Sequence, residues 1–324
     1  MNQDGVVGIL GRGEPSFAFS LGFTPTCFLF RFVGLIPLVT HRLPCCFPGG
    51  GQLGRMLAAA ASLLNVKVII LDSGDDGPAK QVVANSPHIN GSFTDPEKIR
   101  ELAAMVGVLT VEIEHVDVAT LEDVQSTLGL AIHPNPSTIR IIQDKLLQKQ
   151  HLVSHGCPVS DFLQVDSTLE SIRDAAQKLG LPLMLKSRTL AYDGRGNFVL
   201  RELAQAEEAI ATLGDRPLYA EKWVSFVKEI AVMVVQAASG EVRSYPAVET
   251  VHKNNICHLV FVPLRSRDAA LCGRAQAVAE ATVRSFSGAG VFGVEMFLMH
   301  DGMPFHTLLI GDSVPIHSTK GLYS

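Results

Sequence analysis

Lys186 closes an apolar run, LPLMLKSR, and the turn AYDGRGN follows it. A lysine leaving a strand beside a glycine-rich turn can reach the phosphates of a nucleotide while the turn covers them. Asp193 and Arg195 put one charge of each sign on that turn; a solvated hairpin tip would read the same way. Glu221-Lys222-Trp223-Val224 forms another strand-like segment, and Glu229 stands eight residues beyond Glu221. Its backbone and carboxylate suit the amino edge of an adenine and a ribose, although both glutamates also fit solvent-facing strand positions. Glu295 interrupts the apolar run VFGVEMFLM. An ionised carboxylate is costly to bury alone. Glu295 therefore either turns outward or faces a cleft as a ligand of Mg²⁺, which takes one or two carboxylates together with phosphate oxygens. His252, after YPAVETV, reads equally as a pocket residue or as an exposed strand end.

A second set of candidates lies nearer the N-terminus. GGGQLGRMLAAAA, beginning at Gly49, reads as a glycine turn entering a helix. Backbone N–H groups at a helix start can hold an anion. The loop lacks the full dinucleotide fingerprint, although Asp72 stands about 20 residues on. A substrate phosphate or sugar is therefore favoured over a nicotinamide cofactor. Glu112, Glu114 and His115 fall near the end of the strand-like run GVLTVEIEHV. Open α/β sheets bind ligands at such carboxyl ends. No second His/Cys pair has the spacing of a zinc site.

The elements that must position these groups follow from hydrophobic patterning. VVGIL (6–10), VKVIILD (66–72) and GVLTVEIEHV are strand-like, with helices expected over 52–64, 94–106 and 118–129. This β-α-β-α order predicts a doubly wound parallel sheet. One long amphipathic helix is expected over 136–156, from Pro136 to a stop at Gly156. Beyond it come a helix over 168–179, strands LPLMLKSR, NFVL and LYAEKWV, and a helix over 203–213. Hairpins are expected to turn at Ser239-Gly240 and Asp301-Gly302, with a helix over 267–286 between them. The second half is thus α+β.

The 324 residues allow about two domains at roughly 150 residues each. With 47% hydrophobic and 18% charged residues, a sizeable core is available and global disorder is excluded. The net charge of −5 gives no general attraction for nucleic acid or an anionic membrane surface. Six cysteines without a pairing pattern read as reduced thiols of a cytoplasmic protein. Residues 15–48 distort these totals, holding seven of the sixteen Phe and only Arg31 and Arg42 as charges. Pro25, Arg31 and Pro37 break the stretch below the roughly 18 apolar residues of a membrane helix. No helical or strand period is sustained through it. Joined through one glycine, Gly11 or Gly49, the flanks read GILGGGQLGRML, a continuous strand, glycine loop and helix. Residues 12–49 are therefore expected to be a translated intron, the competing reading being a genuine hydrophobic insertion loop.

Taken in order, GILG…GGGQLGRM, TVEIEHVD, QDKLLQKQHL, LPLMLKSRTLAYDGRGNF, YAEKWVSFVKEIAV, SYPAVETVH and GVFGVEMF closely resemble N5-carboxyaminoimidazole ribonucleotide synthetases, in the form found at the N-terminus of fungal phosphoribosylaminoimidazole carboxylases. The resemblance covers about 1–11 and 50–310. It implies a pre-ATP-grasp domain (1–11 and 50–134) and an ATP-grasp domain (135–310, with a lid at about 158–220). The implied reaction is a ligase step of purine biosynthesis: ATP and bicarbonate give carboxyphosphate, and the amine of aminoimidazole ribonucleotide captures the carboxyl group. By motif position Lys145 and Lys186 would contact ATP phosphates or adenine. The loop Ala191, Tyr192, Asp193, Gly194, Arg195, Gly196 and Asn197 would close over the reactants, with Tyr192, Asp193 and Arg195 nearest the chemistry. Glu221, Lys222, Trp223 and Val224 would line the adenine, Glu229 the ribose, and His252 the same pocket. Glu295 would bind Mg²⁺, and Gly50, Gly51, Gln52, Leu53 and Glu114 the ribonucleotide. Family members are often homodimers.

Two departures bear on activity. The insertion splits the glycine loop. After the Glu295 strand the family continues with a strand supplying a second Mg²⁺ carboxylate, whereas this chain reads LLIGDSVPIHSTKGLYS. The expectation is a frame shift just before Gly311, an out-of-frame tail over 311–324, and an inactive or misfolded product. Other ATP-grasp ligases and a non-catalytic ATP-binding relic are the alternatives.

Overall fold

Val68–Asp72 is buried at every position, as expected of a strand covered on both faces. The computed structural model describes residues 7–10, 45–48, 51–111, 113, 115–189, 196–253, 256–302 and 304–310. By contacts the chain divides into two units. One comprises Met1–Arg140, Val235–Val242 and Phe286–Val291; the other Ile141–Val234, Arg243–Ser285 and Phe292–Ser324.

The first unit is built on a parallel sheet. Its strands are β1 (Val7–Leu10), β2 (Cys45–Pro48), β3 (Val68–Asp72), β4 (Ile89–Asn90), β5 (Val108–Val111) and β6 (Ala131–His133). The helices are α1 (Gln52–Leu63), α2 (Pro78–Val82), α3 (Pro96–Ala103) and α4 (Val118–Leu128). Asp95 and Asp117 cap α3 and α4 by accepting from the N–H groups of Glu97 (2.9 Å) and Thr120 (2.8 Å). Ile69, Leu71, Ile99, Leu102, Leu109, Leu121 and Ile132 belong to its core. The doubly wound expectation holds. β4, β6 and α2 are too short to have shown a period.

One slot of this sheet has two claimants. β1 and β2 both pair in parallel with β3 and β5, in one register. Val7 and Cys45 share Val68, and Leu10 and Pro48 share Leu71. The β2 strand lies within 15–48, where no strand period is sustained. Four extended residues are too few to show a period.

Two side chains stitch the carboxyl end of β3. Lys80 is buried and donates to the carbonyls of Asp72 (2.9 Å), Gly74 (2.6 Å) and Ile89 (3.0 Å) and to the Asn90 amide oxygen. His88 Nδ1 accepts from the Ile70 N–H at 3.1 Å, so Nε2 carries the proton toward the Val83 carbonyl at 2.9 Å. Burial holds the His88 pKa below its ordinary 6.5. Charging the ring would also put a proton on the atom that accepts from Ile70. The folded pKa is depressed, so this stabilisation is complete above about pH 6.5 and fades as pH falls through the lower folded value. His88→Phe is expected to cost about 1–3 kcal/mol at pH 8, through the unsatisfied Ile70 N–H. The deficit should shrink toward pH 5. Urea unfolding at the two pH values checks this, and an equal deficit at both contradicts it.

The helix expected over 136–156 is two helices, α5 (Pro136–Gln143) and α6 (Lys145–Ser154). Asp144 breaks it with extended backbone (φ −104°, ψ 106°), its carboxylate accepting from the N–H groups of Leu146 (3.0 Å) and Leu147 (3.2 Å). An aspartate can end one helix and cap the next without disturbing the apolar period.

An antiparallel sheet follows in the order β7-β10-β8-β9: β7 (Phe162–Val165), β10 (Leu218–Lys222), β8 (Leu183–Ser187) and β9 (Asn197–Leu200). Leu183, Leu185, Leu218 and Ala220 pack with Ile172, Ala176, Ala209 and Leu213 of α7 (Leu169–Leu179) and α8 (Ala206–Leu213). By strand alternation Met184, Lys186, Tyr219 and Glu221 share the other face, with Tyr219 opposite Lys186 and Glu221 opposite Met184.

The third sheet runs β14-β13-β11-β15-β16: β14 (Ile256–Phe261), β13 (Val248–Lys253), β11 (Lys228–Gln236), β15 (Gly290–Leu298) and β16 (Pro304–Ile310). β12 (Val242–Ser244) pairs with β11, so the hairpin expected at Ser239-Gly240 forms. β15 and β16 pair as expected about Asp301-Gly302. The helix expected over 267–286 is α9 (Leu271–Arg284).

Candidate functional site

Glu221 is buried on β10, and its charge is met from two sides. Oε1 accepts from Lys149 Nζ at 2.9 Å and from the Ser160 hydroxyl; Oε2 is ion-paired with Lys186 Nζ at 2.7 Å. Burial alone would raise this carboxyl. The Lys149 and Lys186 charges outweigh it and hold Glu221 far below the ordinary carboxylate range. Lys149 moves against its own charged form: burial lowers its pKa, Glu221 opposes that and Lys186 adds to it. The Glu221 direction follows from two ammonium groups meeting one carboxylate, the Lys149 direction first from burial. The network carries a net positive charge on a face that also bears buried Tyr219, a setting suited to an anion.

Lys145 begins α6, and its N–H donates to the Arg188 carbonyl at 2.8 Å. The Arg188 guanidinium in turn grips the Asp144 carboxylate, with Nε at 3.1 Å from both oxygens. The start of α6 is thereby tied to the residue just beyond β8, which carries Lys186.

Glu229, His252 and Glu295 form the other cluster. His252 Nδ1 pairs with Glu229, and both side chains are buried. Burial opposes the charged imidazole, but Glu229, then Glu295, raise its pKa above the ordinary value. Glu295 is 9% exposed, and burial pushes its carboxyl up to about 7; His252 lowers it, Glu229 raises it and Lys145 lowers it. Lys145 thus lies within the field of Glu295 while its backbone is bound to Arg188. Cys257 nearby is pushed up to about 11 by burial, then by Glu295 and Glu229, so it stays a thiol.

On the opposite face of β13, Glu249 is held by Arg265 (3.1 and 2.6 Å) and Lys228 (3.0 Å). Burial would raise its pKa, but these partners lower it. This knot pins β13 to β11 behind Glu229.

Among the described residues no three His, Cys, Asp or Glu side chains form a metal-holding group. Mg²⁺ commonly takes one or two carboxylates together with phosphate oxygens and water. A buried carboxyl raised to about 7 is what a divalent charge would return to its ionised form. The donor set therefore fits one Mg²⁺ carboxylate, Glu295, with Glu229 beside it.

The sequence candidates fall into three groups. Lys145, Lys186, Glu221, Glu229, His252 and Glu295 belong to the two clusters, and their carboxylates are buried, so the outward-facing readings of Glu221, Glu229 and Glu295 are excluded. Lys222 is exposed and its Nζ meets Asp161 at 3.0 Å, whereas Trp223 and Val224 are half-buried just beyond β10. Gly196 has φ +82°, and its carbonyl accepts from the Ser187 N–H at 2.7 Å; Asn197 pairs with Lys186 in register. Gly51 is the residue before α1, Gln52 its first residue, and Leu53 is exposed. Gly50, Glu112, Glu114, Ala191, Tyr192, Asp193, Gly194, Arg195 and the tail 311–324 lie outside the described residues. Lys149, Ser160, Asp144 and Arg188 were not singled out in the sequence. Lys149 repeats Lys145 four residues on, a spacing that a solvated helical face shares.

Residues 47–143 match the ribonucleotide synthetase preATP-grasp domain family, and residues 150–308 the ATP-grasp domain family. Phosphoribosylaminoimidazole carboxylase of Ogataea methanolica is 52% identical over 85% of this chain and 50% of its own length. N5-carboxyaminoimidazole ribonucleotide synthase of Bacillus subtilis is 34% identical over 85% of this chain and 70% of its own. The crystal structure of the Aspergillus clavatus N5-carboxyaminoimidazole synthase, in complex with ADP and aminoimidazole ribonucleotide, superposes with a TM-score of 0.76 at 45% identity, covering 81% of this chain and 68% of that one. The chain spans about half the length of the fungal carboxylases it matches. No helix among the described residues is long and apolar enough to cross a membrane. With both domain families matched in order along one chain, this protein belongs to the N5-carboxyaminoimidazole ribonucleotide synthase family of ATP-grasp enzymes.

Proposed function

We propose that this chain carries the machinery for ATP-dependent carboxylation of aminoimidazole ribonucleotide with bicarbonate, a carbon–nitrogen ligase step of purine biosynthesis. The observation that carries the reading is the buried Lys149–Glu221–Lys186 network, an ionised acceptor beside a phosphate-reaching lysine on one sheet face. Glu221 accepts the amino edge of adenine, and the backbone of Lys222 to Val224 lines the base. Glu229 takes the ribose, with His252 holding its carboxylate. Lys145 and Lys186 neutralise the phosphates, and Glu295 holds Mg²⁺, which when bound neutralises phosphate charge during transfer. The Ala191–Asn197 loop covers the reactants, with Tyr192, Asp193 and Arg195 nearest bicarbonate. Gly50 to Leu53 and Glu114 hold the ribonucleotide. The protein works in the cytoplasm, and homodimers are its proposed assembly.

Phosphate release from ATP by the purified chain tests this. Release that requires both bicarbonate and aminoimidazole ribonucleotide supports the reading; release with another acceptor in their place points to a different ATP-grasp ligase. A second reading is favoured by the doubly claimed slot between β3 and β5, next to the glycine loop, in a chain whose Glu221 network is complete. It is nucleotide binding with carboxylation impaired. Equilibrium ATP binding without turnover distinguishes it from the first.

A further inference from the structure

The two lysines on Glu221 are not equivalent. Lys149 is spent on permanent partners: Nζ donates to Ser160 Oγ at 2.9 Å and to Glu221 Oε1 at 2.9 Å, and lies 5.8 Å from the centre of the Phe162 ring. An ammonium has three donors, so two hydrogen bonds and a ring face leave it nothing to offer a ligand. Its side chain is 4% exposed. The side chain of Lys186 is 21% exposed, and the contact it makes with this network is the one to Glu221 Oε2.

We propose that Lys149, seated by Ser160, is the fixed counter-ion of Glu221, and that Lys186 is its exchangeable one. This rests on the nucleotide reading above. When a triphosphate arrives, Lys186 leaves Glu221 for the phosphates. A buried carboxylate abandoned by its sole counter-ion would take up a proton and lose an acceptor. Lys149 stays, so Glu221 remains ionised, and Oε2, vacated by Lys186, accepts the amino edge of the base. Lys149 and Ser160 are positioning residues; neither touches the nucleotide. The arrangement makes recognition of the purine amino group depend on a residue that the nucleotide itself does not touch.

The test is equilibrium titration of the full chain with ATP, with ITP, which lacks the amino group, and with inorganic tripolyphosphate. In Lys149→Met, ATP affinity is expected to fall about 100-fold, by the loss of a charge-assisted hydrogen bond and its alignment. Tripolyphosphate affinity should stay within about twofold, because Lys186 is then more available, and the preference for ATP over ITP should collapse. Ser160→Ala should give a smaller loss of the same kind, near tenfold. In a Glu221→Gln background, where the acceptor needs no counter-ion, Lys149→Met should change the ATP/ITP ratio no further. If Lys149→Met fails to fold, adding Glu221→Gln removes the unmatched charge and should restore folding. An unchanged ATP/ITP ratio in Lys149→Met overturns the proposal, as does an equal loss for ATP and tripolyphosphate, or a fold that Glu221→Gln cannot rescue. A parent chain that binds neither ATP nor tripolyphosphate overturns the nucleotide reading itself, an outcome visible before any variant is made.

Discussion

Deleting residues 12–49 is expected to stabilise the chain by about 3 kcal/mol and to suppress its aggregation. The reason is the slot between β3 and β5. Each facing edge offers one row of donors and acceptors, so one strand can fill it at a time. β1 and β2 take the same partners in the same register, and they are offset by the length of the segment 12–49. The two occupants fail differently. β1 pairs along the whole of β5, reaching Thr110 and Val111, whereas β2 pairs only with Val108 and Leu109. Pro48, at the end of β2, has no N–H to give to a ladder. With β1 in place, however, a loop of more than thirty residues must be closed between Leu10 and the glycine turn, at about (3/2)RT ln n, or roughly 3 kcal/mol.

Deletion removes the choice. Leu10 and Gly11 then run directly into Gly50 and the start of α1, and seven phenylalanines of a weakly charged segment disappear. Urea unfolding and light scattering of the two chains measure both effects. Hydrogen exchange gives a sharper reading: the edge of β5 at Thr110 and Val111 should gain protection. Equal stability and equal protection would show that residues 12–49 form a true part of the fold, and the translated-intron reading would fall.

The fold was largely readable because its strands and helices are patterned by burial. VKVIILD and LPLMLKSR carry the buried runs Val68–Asp72 and Leu183–Leu185, and Asp95, Thr168 and Asp117 stand where helix starts call for an acceptor. Asp144 escaped because the apolar period passes through it unbroken; what splits the helix is a carboxylate shared with Arg188, 44 residues away. The hairpin expected at Ser239-Gly240 takes in the start of Val248–Lys253, and the pair Asn254-Asn255 is the turn signal in the sequence that announces β14 beyond it. Among the site residues, Glu295, which breaks an apolar run, was legible from the cost of burying charge, whereas Glu221 was legible only through the strand-like segment it opens. Lys149 was not. Its spacing fits a solvated helical face, and only the tertiary structure sets that face against Ser160 and Glu221.

Glu221→Ala should be the most damaging single change in the Glu221 network for stability, costing about 3–5 kcal/mol near neutral pH. It takes the one carboxylate from between two ammonium groups, and Lys149, inside and 4% exposed, has no water to turn to. The damage should have a characteristic pH dependence. Burial already lowers the Lys149 pKa in the intact chain, and Glu221 is the partner that raises it. Without Glu221 the folded-state value drops further below that of the unfolded chain, so the unfolded state binds the extra proton. Stability then rises with pH across the window between the two values, toward about 10.4. The variant should therefore be least stable in acid and recover part of its deficit by pH 9.5. Lys149→Met placed on top of Glu221→Ala removes the unmatched cation and should recover most of the loss at pH 7, abolishing the pH slope. Denaturant titrations of the two variants at pH 6, 7.5 and 9.5 measure this. A Glu221→Ala deficit that is flat with pH, or one that Lys149→Met deepens, would mean that Lys149 is not the buried charge Glu221 exists to balance.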